Sequence, residues 1–349
     1  VDEMFKYLSQ EVKEVVSPAT LRTFCESSAE NLKWIEKYGV EFEASLCPYK
    51  TSYPLDKYCL YYSGNEPALP YRNHAIPAQR GHRVKGKGMP GQRFFAPLQQ
   101  SVHDQGAHVF YQSTVEELIQ DEHGKITGLL FKQIPPGTLA SFKHRWYESL
   151  AIKINNYLPQ LAKALRKRAK HLELRHAQHR YIKVNNGVIL SAGGFIYNRP
   201  MVQQYAPAYR PGMPLGTSGC NGSGIQMGHS MGGQLEHMQR VSAWRFINPP
   251  QAFTRGVLLN RQGKRYINEE LYGATIGEAM VEHNNGEAIL IIDETLKKLA
   301  RTQVGRGKAQ WFQTAPAILN LWFNCRKANS IAELARNCRM PEKVLNKTL

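Results

Sequence analysis

Three glycine-bearing stretches carry the chemistry that this 349-residue sequence can be read for. In the first, Gly187-Val188-Ile189-Leu190 runs into Ser191-Ala192-Gly193-Gly194-Phe195, so an apolar strand exits through residues whose backbone can approach a ligand closely. In the second, Gly216-Thr217-Ser218-Gly219-Cys220-Asn221-Gly222-Ser223-Gly224-Ile225 leads into a helix beginning near Ile225, which offers unpaired amides to a phosphate or a polarised ring atom. No Gly-Lys-Ser/Thr follows, so nucleotide hydrolysis has no support. The third, residues 256–269, reads as a strand, a tight turn at Gln262-Gly263 and a second strand ending in Asn268-Glu269. Taken singly, each is also a packing turn, a helix start or any β-hairpin.

A second group of reactive side chains is phenolic. Tyr53, Tyr58, Tyr61 and Tyr62 crowd one stretch, and phenols in a dry pocket can polarise a carbonyl or hold a proton. Their plain alternative is amphipathic packing. The six cysteines form no CxxC pair and no close Cys/His cluster, so no metal is expected. Free thiols in a reducing compartment, and hence a cytoplasmic protein, are the expectation.

These groups must be held by a mixed framework. Helical spacing predicts two helices over residues 1–39, the second entered through Ser17-Pro18. Residues 40–93, rich in Tyr, Pro and Gly, read as irregular structure carrying short strands, and 94–106 as a helix. A strand is expected at Ala107–Tyr111, then a hairpin of Val115–Ile119 and Ile126–Phe131 turning at Asp121–Gly124. Residues 139–180 read as one or two basic helices, and Gly187–Leu190 as a buried strand. Strands alternating with helices give an α/β or α+β class.

In this order the three glycine segments resemble the flavoproteins that include fumarate reductase flavoprotein subunits and 3-ketosteroid Δ1-dehydrogenases. The resembling positions are Ser191–Phe195 with Asn198, Asn221–Ile225 and Leu259–Glu269, joined by Gly81-His82-Arg83 and by Val115 in the strand beside the adenine. The tyrosine-rich stretch is closer to the ketosteroid dehydrogenase branch. The resemblance implies FAD, a glutathione-reductase-like FAD domain with an inserted substrate-binding lobe, and cofactor contacts from Val115, Ser191, Ala192, Gly193, Gly194, Phe195, Asn198, Asn221, Gly222 and Gly224. It divides the chain into a partial FAD-binding domain at 1–239, a capping lobe at 240–325 and a return toward the FAD domain at 326–349.

Three departures accompany it: no N-terminal Gly-x-Gly-x-x-Gly unit, no C-terminal flavin segment, and Cys220-Asn221 where an acidic residue is usual. The chain therefore reads as an internal fragment that would bind flavin weakly or not at all. The implied reaction is dehydrogenation or reduction across adjacent carbons of a 3-ketosteroid or related enone, at C1–C2 in the ketosteroid branch. The flavin handles the hydride, and a tyrosine, first Tyr62 or Tyr61, handles the proton or the carbonyl. His82 is a further candidate facing substrate or flavin, or a surface side chain. Arg255 stands near the acid of fumarate reductases, about three positions late, or is a solvated arginine. Reduction of a small dicarboxylate and a cofactor-free interaction module are the alternatives. The expected partners are a small-molecule substrate and an electron acceptor.

The formal charge of +17 is unevenly spread. Residues 143–183 hold eleven Lys and Arg against two acidic residues. Leu158, Leu161, Leu165 and Leu172 recur there at helical spacing, predicting an amphipathic helix with a solvated charged face. No zinc-finger, RRM or helix-turn-helix signature accompanies it, so nucleic acid is not an expected partner. Peripheral contact with an anionic membrane remains compatible with it.

Overall fold

The computed structural model describes residues 1–349 apart from Asn156, Phe246 and Arg306 and the side chain of Trp311. The chain forms two compact units, Val1–Gly106 with Ser242–Leu349, and Ala107–Val241. The first of these units combines the two ends of the chain, and the second is continuous in sequence.

The first unit opens with α1 (Asp2–Val12) and α2 (Pro18–Lys37). Ser17 caps α2, its hydroxyl accepting from the Thr20 amide at 3.2 Å, with Pro18 at the first helical position, where its missing N–H costs nothing. The tyrosine-rich stretch is irregular and held by the short antiparallel pair β1 (Leu60–Tyr61) and β2 (Gly81–His82). Helix α3 covers Gly91–Asp104.

The second unit carries an antiparallel meander, β3 (Ser113–Gln120), β4 (Ile126–Gln133) and β5 (Gln178–Lys183). The hairpin expected at Asp121–Gly124 is present, with the Asp121 carboxylate accepting from His123 and Lys125 amides. Helices α4 (Leu139–Ile154) and α5 (Pro159–His176) form the connection between β4 and β5. They pack through Ala151, Ala162 and Leu165, with Tyr147, Leu150 and Ile154 around them. The buried face of α5 is thus Ala162, Leu165 and Ala169, while Leu158 and Leu161 are exposed, correcting the four-leucine stripe. Small alanines let the two helices approach closely. Helices α6 (Arg199–Tyr205) and α7 (Ser223–Ser230) complete the unit.

Back in the first unit lie β6 (Val257–Leu259), α8 (Gly273–His283), β7 (Ile289–Ile291), α9 (Glu294–Thr302), α10 (Trp311–Trp322), α11 (Ile331–Cys338) and α12 (Glu342–Thr348). One core joins Phe253, Ala300, Val304 and Leu321; another joins Leu259, Ala335, Met340 and Leu345.

Three strand expectations fail. Residues 107–111 and 187–190 are extended but unpaired among the described residues, and Ile189 is 92% exposed rather than buried. Apolar composition favours a strand, but a ladder also needs backbone pairing, and neither segment pairs with a described strand, although the Phe110 ring lies edge-on to Phe131 of β4. The third concerns residues 256–269. The Asn260–Gly263 turn forms, yet the second arm makes only one bridge, Leu259 to Arg265, and β6 pairs with β7 instead. Buried Glu269 explains this: its carboxylate accepts from the Leu258 amide at 2.7 Å, occupying the site a second strand would use. β5, conversely, was read as the end of a basic helix; its antiparallel match to β4 makes it a strand.

Helix α8 is seated by one glycine. A Cβ on Gly277 would collide with the Ala243 carbonyl, so only glycine allows that approach. Gly277→Ala should lower unfolding free energy by about 1–3 kcal/mol in urea titration. Gly91→Ala, where nothing lies within 4 Å, should stay within about 0.5 kcal/mol of the parent.

Candidate functional site

In the second unit the first two glycine stretches fold against each other. The Gly222 amide donates to the Gly194 carbonyl at 3.0 Å, and the Tyr197 amide to the Cys220 carbonyl at 3.0 Å. Asn198 caps α6, accepting from the Met201 amide at 3.2 Å, while its side-chain nitrogen donates to the Asn221 carbonyl at 2.9 Å. The Asn221 side chain in turn accepts from the Ser223 amide at 3.0 Å, opening α7. Gly222 has φ +79°, and a Cβ there would strike the Met201 sulfur and stand 3.0 Å from the Phe195 Cβ. A Cβ on buried Gly224 would lie 3.0 Å from that of Ala192.

The outer side of this clasp is open. Residues 191–194 are exposed, and a Cβ on Gly194 would meet nothing within 4 Å. The amides of Gly193 and Gly194 donate to no other group among the described residues. A bare ribbon of free amides beside a helix start suits the polar atoms of a flavin nucleotide, so these residues fit that cofactor. Val115 lies half-buried on β3 opposite Phe131, beside a bulge before Glu117.

The catalytic candidates all lie in the first unit, as does the third glycine stretch. Tyr61, on β1, pairs with Gly81, where a Cβ would sit 2.9 Å from the phenol carbon of Tyr61. Glycine at 81 therefore makes room for that ring. Tyr61, Tyr53 and Tyr272 act on one another electrostatically. Burial raises the pKa of all three, and that of Tyr272 to about 12, with Tyr53 and Tyr61 adding to the rise. They stay protonated and able to donate across the neutral range. Tyr62 follows Tyr61 and is half-buried. His82 is exposed, its Nδ1 3.1 Å from the Arg80 carbonyl oxygen and its ring edge-on to Phe42. Neighbouring Arg83 is buried and structural: it pairs with Asp56 at 2.9 Å and donates to the Gly86 and Gly88 carbonyls.

Arg255 is exposed and lines an open cleft of about 800 Å³ with Leu69, Thr254, Arg265, Asn268 and Glu270. Arg265 is committed to the buried Glu269 carboxylate at 2.5 Å, which leaves Arg255 to face the cleft. Asn268 donates to the Leu69 carbonyl at 3.1 Å. Asn268 and Glu269 therefore brace this unit internally.

Three participants escaped the sequence reading. Tyr272 stands just beyond the third motif, at the N-cap of α8. Its amide donates to the Asn65 side chain at 2.6 Å. Asn65 is buried and fully engaged: its amide donates to the Tyr7 hydroxyl, its side-chain nitrogen to Glu11 and Thr275, and its carbonyl accepts from Ala68. Lys50 donates to the Glu270 carbonyl and borders a small cavity with Thr51, Arg245, Asn248, Glu269 and Tyr272. Burial pulls its pKa down to about 8, against the opposing pull of Glu66, Glu270 and Glu11, making it a group that exchanges protons near neutrality. An acidic pair of neighbours, Glu269-Glu270, is the only sequence signal near it.

A mixed helix/strand fold with a glycine-clasped ribbon of free amides is one that suits a flavin-binding domain. Residues 1–295 match the FAD binding domain family, and the chain belongs to it. It is 36% identical over 351 residues to a 3-oxo-5-alpha-steroid 4-dehydrogenase of Comamonas testosteroni, covering 99% of this chain. A fumarate reductase (cytochrome) of Shewanella frigidimarina is 28% identical over 121 residues, 32% of this chain and 21% of that protein. Among solved structures, a 3-ketosteroid Δ4-(5α)-dehydrogenase of Rhodococcus jostii in complex with 4-androstene-3,17-dione aligns over 99% of this chain and 62% of its own, with TM-score 0.76 and 23% identity. A 3-ketosteroid Δ1-dehydrogenase of Sterolibacterium denitrificans aligns over 99% and 67%, with TM-score 0.54 and 16% identity. The chain spans 65% of the length of the Comamonas protein.

Two outcomes follow. Gly222→Ala adds a left-handed-region penalty of about 1–2 kcal/mol to its steric clash, so it should lower the melting temperature and speed exchange of the Tyr197 amide. Lys50→Met removes an amine whose charged form folding disfavours. Its stabilisation should be full below about pH 8 and fade as the pH rises toward 10.5, read as the difference in urea midpoints between variant and parent.

Proposed function

We propose that this chain is part of a flavoenzyme that moves a hydride and a proton across adjacent carbons next to the ketone of a 3-oxosteroid, at C4–C5. The 36% identity along nearly the whole chain to a protein named for a 4-dehydrogenase supports C4–C5 over the C1–C2 bond expected from the motifs. The observation in the fold that carries the reading is the half-buried, electrostatically coupled trio Tyr53, Tyr61 and Tyr272.

A flavin would lie against the free amides of Gly193 and Gly194, in the clasp built by Asn198, Asn221 and Gly222, and would supply the two-electron chemistry. The protein's own part is carbonyl activation. A phenol kept protonated by burial donates to the ketone oxygen and strengthens as negative charge grows there, which acidifies the neighbouring C–H. The β1 pairing with Gly81 at Tyr61 and the Asn65 contact with the Tyr272 backbone amide support giving this role to those two residues. Arg255 favours a second substrate class, a small dicarboxylate, because it is the cleft arginine not committed to a carboxylate.

The test is turnover of the holoprotein with a 3-oxo-5α-steroid and a dye electron acceptor, followed by the growth of the enone ultraviolet band. Tyr61→Phe and Tyr272→Phe should each lower kcat/KM by about 10²-fold, the size expected when one oxyanion donor is lost. Reoxidation of a reduced viologen dye driven by fumarate-type acids, with no turnover of the steroid and lost in Arg255→Ala, would replace this reading with the dicarboxylate one.

A further inference from the structure

The α4–α5 pair carries a surface that nothing in the reaction uses. On α4, Leu139, Phe142 and Trp146 are 66%, 58% and 54% exposed, while His144 and Ala151 are buried. Spacings of three and four put the exposed three on one face, turned away from the buried pair. No helix among the described residues is long and apolar enough to cross a membrane, and α4 is too short as well as too polar. An apolar stripe with a tryptophan, on a helix that also carries Lys143, Arg145 and Lys153, has the make-up of a helix that lies in a membrane interface.

The charge around the stripe is of one sign. Between 143 and 183 there are eleven basic residues and two acidic ones, Glu148 and Glu173. Glu173 is already engaged, by His144 at 2.9 Å and Lys170 at 2.8 Å. On α5, Lys163, Lys167 and Lys170 follow one another at helical spacing on its exposed side, and the edge strand β5 adds Arg180 and Lys183. A second copy of this surface would meet like charge. An anionic lipid surface meets the opposite charge and also accepts the rings, while lysine stems lie along the apolar zone with their ammonium groups at the phosphates.

We propose that the α4–α5 pair docks the protein on an anionic lipid bilayer, with Leu139, Phe142 and Trp146 entering the headgroup region and the surrounding lysines and arginines at the lipid phosphates. This surface lies wholly within the second unit and is independent of the substrate reading above.

The experiment is cosedimentation of the chain with vesicles of phosphatidylcholine alone and of phosphatidylcholine with phosphatidylserine. The chain should sediment with the anionic vesicles only, and less so as salt is raised. Phe142→Ser with Trp146→Ser should reduce the bound fraction about tenfold, as expected from withdrawing two rings from the interface. Lys163→Glu with Lys167→Glu, an independent pair, should do the same while leaving circular dichroism unchanged. Equal binding to neutral vesicles, or no loss in either double variant, overturns the proposal. So does tighter binding to a single-stranded oligonucleotide than to the vesicles, or a dimer that the Phe142/Trp146 variant converts to monomer.

Discussion

One buried amide side chain, that of Asn65, joins the elements around Tyr272 in the first unit. Every donor and acceptor of Asn65 is engaged, and its partners come from α1, from the loop that carries Ala68 and from the start of α8. A buried amide left partly unpaired would cost about 1–3 kcal/mol. Its bonds therefore tie α1, the loop that holds Asn65 and the start of α8 to one another. The Tyr7 phenol beside it, raised in pKa by burial and by its bond to Glu11 at 2.5 Å, remains a donor within that network.

The two units expose different kinds of polar group. The second unit presents backbone: amides left bare because glycine removes the side chains that would cover them. The first presents side chains whose proton affinities burial has altered, upward for Tyr53, Tyr61 and Tyr272 and downward for Lys50. Backbone dipoles suit the many polar atoms of a nucleotide cofactor. Phenols suit a single ketone oxygen.

The glycine segments of the second unit were legible in the sequence as close-approach turns because such devices are local. The helix start near Ile225 follows the Asn221-Gly222 turn. The substrate side was readable only in part. Tyr61 was named from the crowding of phenols, but its companion Tyr272 lies about two hundred residues along the chain, behind a motif read as finished at Glu269. Lys50 was invisible because a lysine becomes unusual through what surrounds it, and its surroundings come from residues 66 and 270.

By itself the sequence determined where helices start, through Ser17, Thr138, Asn198 and Asp293, whose side chains each cap an amide three residues on. It also determined the order of the glycine segments and the concentration of positive charge in one lobe. Tertiary structure alone decided which extended segments became strands: β6 took β7 rather than its own hairpin arm, and 187–190 took no described partner. The reason is the range of the bonds involved. A cap closes within its own turn, whereas a strand, a shifted pKa or a buried amide network exists only once a distant stretch of chain has arrived to supply its other half.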